Sequence, residues 1–264
     1  MKIIGFAQLR NELSKGNLHN WFRSMEVCDQ VYIYDQASDD GSQEVYKSRE
    51  NIYVIQSDTN RFQEEISCKR QLLQKLLEDH PDVDWIFWMD GDTILDGRLD
   101  RTTLENVFIE AEDMGSDAIK MRHFNLWRSD NWTRIDNQYH ELYQYGVTAF
   151  WKNNGKLEFP SSTGLHLNQF PNGMSHAAMC PFFLIHRGFS TDNQIIERYN
   201  LYRSRGQSGH ALERLLEEGT LDGYEIDSDC IPKWFNFNFT GSPKGKRLIR
   251  EIYEEKYRNC KPNI

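Results

Sequence analysis

Short apolar segments alternate with segments of helical periodicity over the first 95 residues of the chain. Strands are predicted at residues 2–8, 31–34, 51–56 and 85–89, and helices at about 13–27, 43–49 and 63–78. This alternation is typical of a mostly parallel α/β sheet that binds its ligand at the carboxyl ends of the strands. The sequence therefore predicts a Rossmann-like α/β fold whose first 95 residues form a nucleotide-binding half.

The remainder of the chain has a less regular pattern. It predicts a helix at about 99–114, strands at 117–127 and 147–152, loops at 153–175 and an amphipathic helix at 245–259. The length of 264 residues fits one large α/β domain. We therefore predict a single domain with two halves, residues 1–95 and residues 96–264, in which helices flank a central sheet.

The charge balance limits the partners of the chain. With 31 Lys and Arg residues against 40 Asp and Glu residues, its formal net charge is −9, which argues against nucleic-acid binding. The apolar runs fall short of the roughly 18 residues of a membrane span, and no signal-peptide pattern precedes the first strand. The sequence predicts a cytoplasmic protein with no transmembrane segment and leaves peripheral membrane association open.

Cysteine usage gives a further constraint. The five cysteines show no CxxC spacing: Cys28, Cys68, Cys180, Cys230 and Cys260. An odd number without metal-ligand spacing argues against a disulfide framework and against a zinc site. We expect reduced and mostly buried thiols.

An acidic motif, Asp90-Gly91-Asp92, follows the apolar segment 85–89 directly. Two carboxylates two residues apart at a strand end suit Mn²⁺ or Mg²⁺, which in turn binds a diphosphate. One alternative is a plain surface turn. Another is the DxDxT nucleophile motif of haloacid-dehalogenase-like phosphatases, which normally opens its fold, whereas some eighty residues precede Asp90 here. A calcium loop of the EF-hand type is disfavoured because a strand precedes the motif.

Five segments in order resemble the motifs of GT-A glycosyltransferases of the family 2 type, especially small lipopolysaccharide-core-like sugar transferases. They are Gln8-Leu9-Arg10-Asn11-Glu12, residues 34–42 (YDQASDDGS), residues 62–73, residues 85–93 (WIFWMDGDT), and residues 184–189 (LIHRGF) with Tyr199. The resemblance covers most of the chain. It implies a GT-A fold in which residues 1–95 bind a nucleotide sugar and residues 96–264 bind the acceptor.

The resemblance also implies roles for single residues. The nucleotide-sugar site would comprise Gln8, Arg10, Asp35, Arg70 and Asp90. The metal ligands would be Asp90, Asp92 and His186. For the two arginines the alternative is a solvated or ion-paired side chain. For His186 it is a hydrogen-bonded structural residue.

The resemblance implies a metal-dependent, inverting transfer of one sugar by direct displacement. The donor would be a UDP-, GDP- or dTDP-sugar, and the acceptor a saccharide or glycoconjugate. Such a reaction needs a general base near the acceptor hydroxyl. Leu167 stands where the family has Glu, so His166 and Asp136 are the candidates for the base, with Glu158 as a further one.

Two other functions stay open at this point. A catalytically inactive nucleotide- or sugar-binding module is consistent with Leu167. A sugar nucleotidyltransferase is disfavoured because no Gly-rich phosphate loop occurs near residues 5–16. Among the aromatic residues, we expect Phe124 in the core and Trp127 or Trp132 on a surface where acceptor sugars stack.

Overall fold

A computed structural model of the chain describes residues 1–61, 64–134, 146–161, 170–204, 223–225 and 229–235. Its strands are β1 (Ile3–Leu9), β2 (Gln30–Asp35), β3 (Ile52–Gln56), β4 (Trp85–Trp88), β5 (Thr93–Leu95), β6 (Ala118–Asn125), β7 (Trp132–Arg134), β8 (Gly146–Lys152), β9 (Ala177–His186) and β10 (Gly223–Glu225). Its helices are α1 (Leu18–Met25), α2 (Ser42–Lys47), α3 (Glu65–Asp79), α4 (Arg101–Asp113) and α5 (Asp192–Ser204).

Eight strands form one mixed sheet in the order β3-β2-β1-β4-β8-β6-β9-β5. The pairs β1–β2, β2–β3 and β1–β4 are parallel, whereas β4–β8 and β5–β9 are antiparallel. A separate antiparallel pair joins β7 to β10. The predicted α/β fold, with a Rossmann-like parallel region that begins the chain, is confirmed.

The residues divide into two compact units by their internal contacts. Unit 1 comprises residues 1–92, 100–121 and 148–180, and unit 2 comprises residues 93–99, 122–147 and 181–264. The predicted division of the chain into a nucleotide-sugar-binding half and an acceptor-binding half stays a prediction.

The core of unit 1 is rich in aromatic rings because its strands carry large apolar residues on both faces. Phe6 of β1 contacts Trp151 edge-on at 5.3 Å between ring centroids and stacks on Phe159 at 6.1 Å. Phe87 stacks on Phe150 at 4.4 Å across the β4–β8 pair. Strands that are buried on both faces read as near-continuous apolar runs, which is why β1 and β4 were predictable from the sequence.

A turn before α1 and an N-cap residue before α4 determine where these two helices of unit 1 begin. α1 begins at Leu18 rather than at residue 13, because residues 11–17 form a turn with Asn11 at φ 55° and Gly16 at φ 70°. α4 begins after Asp100, whose carboxylate caps the helix by accepting from the Thr103 amide at 2.8 Å.

Unit 2 contains strands that the sequence pattern did not predict. Short β5 pairs with β9, and its Ile94 belongs to a buried cluster with Phe124, Phe183 and Ile185.

A capping box opens α5: the Thr191 hydroxyl accepts from the Gln194 amide at 3.3 Å, and the Gln194 side chain accepts from the Thr191 amide at 3.2 Å.

Two expectations on composition concern the described residues. Four of the cysteines lie there, and all four are buried, as predicted: Cys28, Cys68, Cys180 and Cys230. Within the same residues, no helix has the length and apolar character required to cross a membrane.

Candidate functional site

The acidic turn, residues 90–92, lies in unit 1 where β4 ends. The backbone just before it is anchored, since the Met89 amide donates to the Phe6 carbonyl at 3.4 Å and the Trp21 indole donates to the Met89 carbonyl at 3.3 Å. Asp90 and Asp92 are partly buried, and Gly91 is buried. The predicted position of the motif at the carboxyl end of an apolar strand is confirmed.

Glu12, a buried carboxylate, lies against this turn. Its Oε1 accepts from Lys15 Nζ at 2.7 Å, and its Oε2 accepts from Asn17 Nδ2 at 2.8 Å. Burial raises the pKa of Glu12, and the negative charge of Asp92 raises it further, against the lowering effect of Lys15 and Asn17. Asp92 and Glu12 are therefore close enough to repel each other.

The donor set at the turn fits a hard divalent cation. Among the described residues, no three His, Cys, Asp or Glu side chains are grouped as a metal cage supplied by the protein alone. Mg²⁺ in phosphate-transfer sites needs no such cage, because one or two carboxylates suffice when water and substrate phosphates supply the other ligands. Asp90 and Asp92 are of this type, and Gly91 brings the backbone close between them.

Four side-chain N–H groups of unit 1 are buried and, in the part of the chain that the structure describes, have no hydrogen-bond partner. We call them the N–H face: Gln8 Nε2, Arg10 Nε, Gln36 Nε2 and Trp88 Nε1. Gln36 is 3% exposed and Trp88 is 4% exposed. Since a buried donor without an acceptor costs about 1 to 3 kcal/mol, four of them together require an explanation.

Strand register places Gln8, Gln36 and Trp88 on one face of the sheet. Phe6 is in register with Trp88, and Gln8 is in register with Tyr34. Side chains two residues apart on a strand share a face, so Gln8 shares the face of Phe6, and Gln36 shares that of Tyr34. Arg10 lies at the bend that follows β1. The Gln36 amide donates to the Leu9 carbonyl at 2.9 Å and extends the β1–β2 ladder by one residue. The N–H face thus lies at the carboxyl edge of three parallel strands, and Trp88 precedes the acidic turn.

Asp35 lies on the opposite face, since it is in register with Leu9. It is fully buried, and its carboxylate accepts from the Ser38 amide at 2.9 Å, the Ser38 hydroxyl at 2.5 Å and Gln43 Nε2 at 3.0 Å. These bonds hold the β2–α2 loop (residues 36–41). The predicted contact of Asp35 with a nucleotide stays a prediction, and the observed contacts are those of a loop-stabilising residue.

Helix α3 contributes cationic side chains to unit 1. Lys69 is 2% exposed, donates to Glu65 at 2.5 Å and lies over the Trp88 ring, 5.2 Å from its centroid. Arg70 is the next residue of the helix and is partly buried. Lys69 was not predicted, because on the sequence it is one of two lysines of an amphipathic helix.

His186 ends β9 in unit 2, and its predicted position at a strand end is confirmed. Its Nδ1 lies 2.8 Å from Asn125 Oδ1, and its Nε2 lies 3.4 Å from Arg198 Nη2. The guanidinium only donates, so Nε2 accepts, and Nδ1–H donates to Asn125. This arrangement is that of the hydrogen-bonded structural histidine that the sequence left open. Metal ligation by His186 stays a prediction.

Trp127 and Trp132 are buried in unit 2, where they are 6% and 4% exposed. The expectation that one of them forms an acceptor surface is wrong, since both belong to the core, and the Trp127 amide donates to the Trp132 carbonyl at 2.9 Å. Phe124 stacks on Phe183 at 4.2 Å, as expected for a core residue.

The candidate bases His166 and Asp136 lie outside the described residues, as do Leu167 and the predicted helix 245–259. The third candidate, Glu158, is exposed, and its backbone pairs with Asn172. Sequence reasoning missed Gln36, Trp88 and the position of Glu12 beside Gly91. No local pattern marks them, because each depends on a neighbour from another part of the chain.

A model of the galactosyl transferase GMA12/MNN10 family matches residues 43–153, less than half of the chain. The matched stretch runs from α2 to β8 and includes the acidic turn. The match confirms the predicted resemblance of the chain to glycosyltransferases. No curated protein matches the chain.

Solved structures also match the chain at low identity. One is a glycosyltransferase involved in the glycosylation of the major capsid of PBCV-1 (10% identity, 59% of this chain, 62% of that chain, TM-score 0.30). Another is 4-diphosphocytidyl-2C-methyl-D-erythritolsynthase from Anaerococcus prevotii (12% identity, 56% of this chain, 64% of that chain, TM-score 0.28). A third is HddC from Yersinia pseudotuberculosis (12% identity, 75% of this chain, 97% of that chain, TM-score 0.38). The chain spans less than two thirds of the length of the first two.

Proposed function

We propose that the chain is a sugar transferase that takes its sugar from a nucleoside diphosphate sugar bound at the carboxyl edge of β1, β2 and β4. The N–H face carries the proposal. Its four donors are buried and have no acceptor in the part of the chain that the structure describes, and a nucleotide offers oxygens for them from its base, ribose and diphosphate. Binding would remove the cost of the unpaired donors, which favours a ligand rich in acceptors at this edge.

The charged side chains of unit 1 suit the diphosphate. Asp90 and Asp92 would hold Mn²⁺ or Mg²⁺, whose chemistry is to neutralise charge that develops on the leaving nucleoside diphosphate. Arg10 and Arg70 would donate to phosphate oxygens, a task for which the planar guanidinium is well matched. Although the net charge of the chain is negative, the cation and the two arginines would thus hold the anionic sugar nucleotide.

The remainder of the reaction is proposed from the resemblance. A saccharide or glycoconjugate acceptor would attack the sugar directly, with inversion, after losing its proton to His166 or Asp136. The UDP-, GDP- or dTDP-sugar donor and the cytoplasmic location belong to the same proposal.

The test is binding of UDP, GDP and dTDP, with and without Mn²⁺, followed by thermal unfolding and by hydrolysis of the matching sugar nucleotides. We expect one nucleotide to raise Tm in a Mn²⁺-dependent manner, and Asp92→Asn to abolish the Mn²⁺ effect. Trp88→Phe removes one unpaired N–H and should weaken nucleotide binding about fivefold. Trp85→Phe on the same strand is the matched control, since the Trp85 indole already donates to Glu112 at 3.0 Å.

Three results decide between the functions. Mn²⁺-dependent stabilisation that persists in Asp92→Asn contradicts the metal site. Nucleotide affinity that is equal in the Trp88→Phe and wild-type proteins contradicts the role of the N–H face. Binding without hydrolysis, and without transfer to any acceptor, identifies an inactive binding module.

A further inference from the structure

The side chain of Glu12 fills the space directly against Gly91. A Cβ atom added to Gly91 would lie 2.6 Å from Glu12 Cδ, 2.7 Å from its Cγ and 2.8 Å from its Oε2. A Cβ atom essentially never lies within 3.0 Å of a non-bonded heavy atom, so one of the two groups would have to move. The side chain of Glu12 thus leaves no room for a side chain at position 91.

Glu12 itself has little freedom to yield. Both carboxylate oxygens are bonded, to Lys15 and Asn17, and the side chain is 6% exposed. Its carbonyl accepts from the Asn17 amide at 3.0 Å. On its other side, Asn11 holds a positive φ of 55° and bonds to the β2–α2 loop through Ser38 and Asp39. Glu12 is therefore held from both chain directions.

We propose that Glu12 is a positioning residue that sets the conformation of the acidic turn. It supports Gly91 from beneath, so that the carboxylates of Asp90 and Asp92 project from a fixed backbone. This inference rests on the proposed function, because positioning has a purpose only if the turn holds a cation and its diphosphate.

The chemistry explains why a carboxylate occupies this position despite the cost of burial. Lys15 and Asn17 compensate the charge of Glu12, and the bonds to both oxygens fix the plane of the carboxyl group against the turn. The nearby charge of Asp92 opposes it, and a cation bound at the turn would reduce this repulsion. Groups that orient metal ligands without touching the metal typically change its affinity 10- to 100-fold when they are removed.

A double-mutant cycle tests the proposal on the full chain. Gly91→Ala places a methyl group into Glu12, and we expect it to lower the Tm of the metal-free protein and to weaken Mn²⁺ binding, titrated directly, by about tenfold. Glu12→Ala removes the support and should weaken Mn²⁺ binding by several-fold. In Glu12→Ala/Gly91→Ala the added methyl group has room, so its Tm and Mn²⁺ affinity should match those of Glu12→Ala alone.

Glu112→Ala is the control for general destabilisation. Glu112 accepts from Trp85 Nε1 at 3.0 Å and pairs with Lys152 at 3.0 Å, at the end of β4 away from the acidic turn. This variant should lose stability and keep wild-type Mn²⁺ affinity. Additive losses in the cycle, or a folded Glu12→Ala protein with wild-type Mn²⁺ affinity, overturn the proposal.

Failure of the proposed function gives a different result. If the wild-type protein binds no Mn²⁺, the metal site is contradicted. The Tm values of the metal-free variants then still test whether Glu12 packs against Gly91. A Tm of the double variant equal to that of Glu12→Ala supports this packing, and additive losses of Tm contradict it.

Discussion

The two faces of the sheet at the ends of β1 and β2 differ in how well their polar groups are paired. On one face, Asp35 accepts three hydrogen bonds and fixes the β2–α2 loop. On the other, the buried N–H groups of Gln8 and Gln36 have no acceptor among the described residues. Asp35 and Gln36 are adjacent in the sequence. The fold explains the first position, and the proposed nucleotide would explain the second.

The difference shows why residue type alone does not identify a binding residue. An aspartate at a strand end suggests contact with a ribose or a metal, yet Asp35 is fully buried and bonded within the protein. A glutamine in a loop suggests no function, yet Gln36 is 3% exposed and its side-chain N–H has no acceptor within the described ranges. Protein folding leaves few buried donors unpaired, so such donors are informative when they gather at one edge.

The largest expected effect falls on the paired face. Asp35→Ala leaves the Ser38 amide, the Ser38 hydroxyl and the Gln43 amide without their acceptor, and we expect a loss of about 2 to 4 kcal/mol in the free energy of unfolding. Equilibrium urea denaturation measures it. Asp39→Ala in the same loop removes one exposed bond, to Asn11, and should cost about 1 kcal/mol or less. Equal losses for the two variants would show that the two loop positions are not different.

A Gln→Met substitution should have opposite effects on stability at Gln36 and at Gln43, which bonds to Asp35. Gln36→Met removes a buried side-chain N–H that has no acceptor among the described residues, so stability should stay level or rise by about 1 kcal/mol, while nucleotide affinity falls about tenfold. Gln43→Met removes an amide that donates to Asp35 and to the Ser38 carbonyl at 2.9 Å, so stability should fall. Urea denaturation and nucleotide titration of both variants check this. A loss of stability in Gln36→Met would mean that its amide is already satisfied.

The smallest expected effect concerns acid stability. Burial alone would raise the pKa of Asp40, but hydrogen bonds from Ser14 and Ser42 outweigh it and lower the pKa to about 2. Because the pKa of Asp40 is lower in the folded protein than its ordinary value of 3.8, the ionised carboxylate stabilises the folded state at pH values above 3.8. This contribution to the free energy of unfolding disappears as the pH falls towards about 2. The Tm difference between the wild-type and Asp40→Asn proteins should therefore be largest near neutral pH and shrink in acid. A difference independent of pH would contradict it.

Much of the fold was predictable, and the misses have local causes. β1 to β4 and α3 follow long apolar or amphipathic patterns, which carry their signal within one element. β5 and β7 have three residues each, too short for a periodicity, and form because partner strands are available. α1 was predicted five residues too early, because the pattern does not show that Asn11 adopts a positive φ.

The sequence by itself determined the alternation of strands and helices and the position of Asp90, Gly91 and Asp92 at a strand end. These features depend on neighbouring residues, and so they can be recognised along the chain. Only the tertiary structure decided that Gly91 lies against Glu12 and that Asp35 is already paired. It also decided that Gln36 Nε2 and Trp88 Nε1 have no acceptor among the described residues. Whether a polar group is satisfied depends on atoms from distant segments, which no local pattern records.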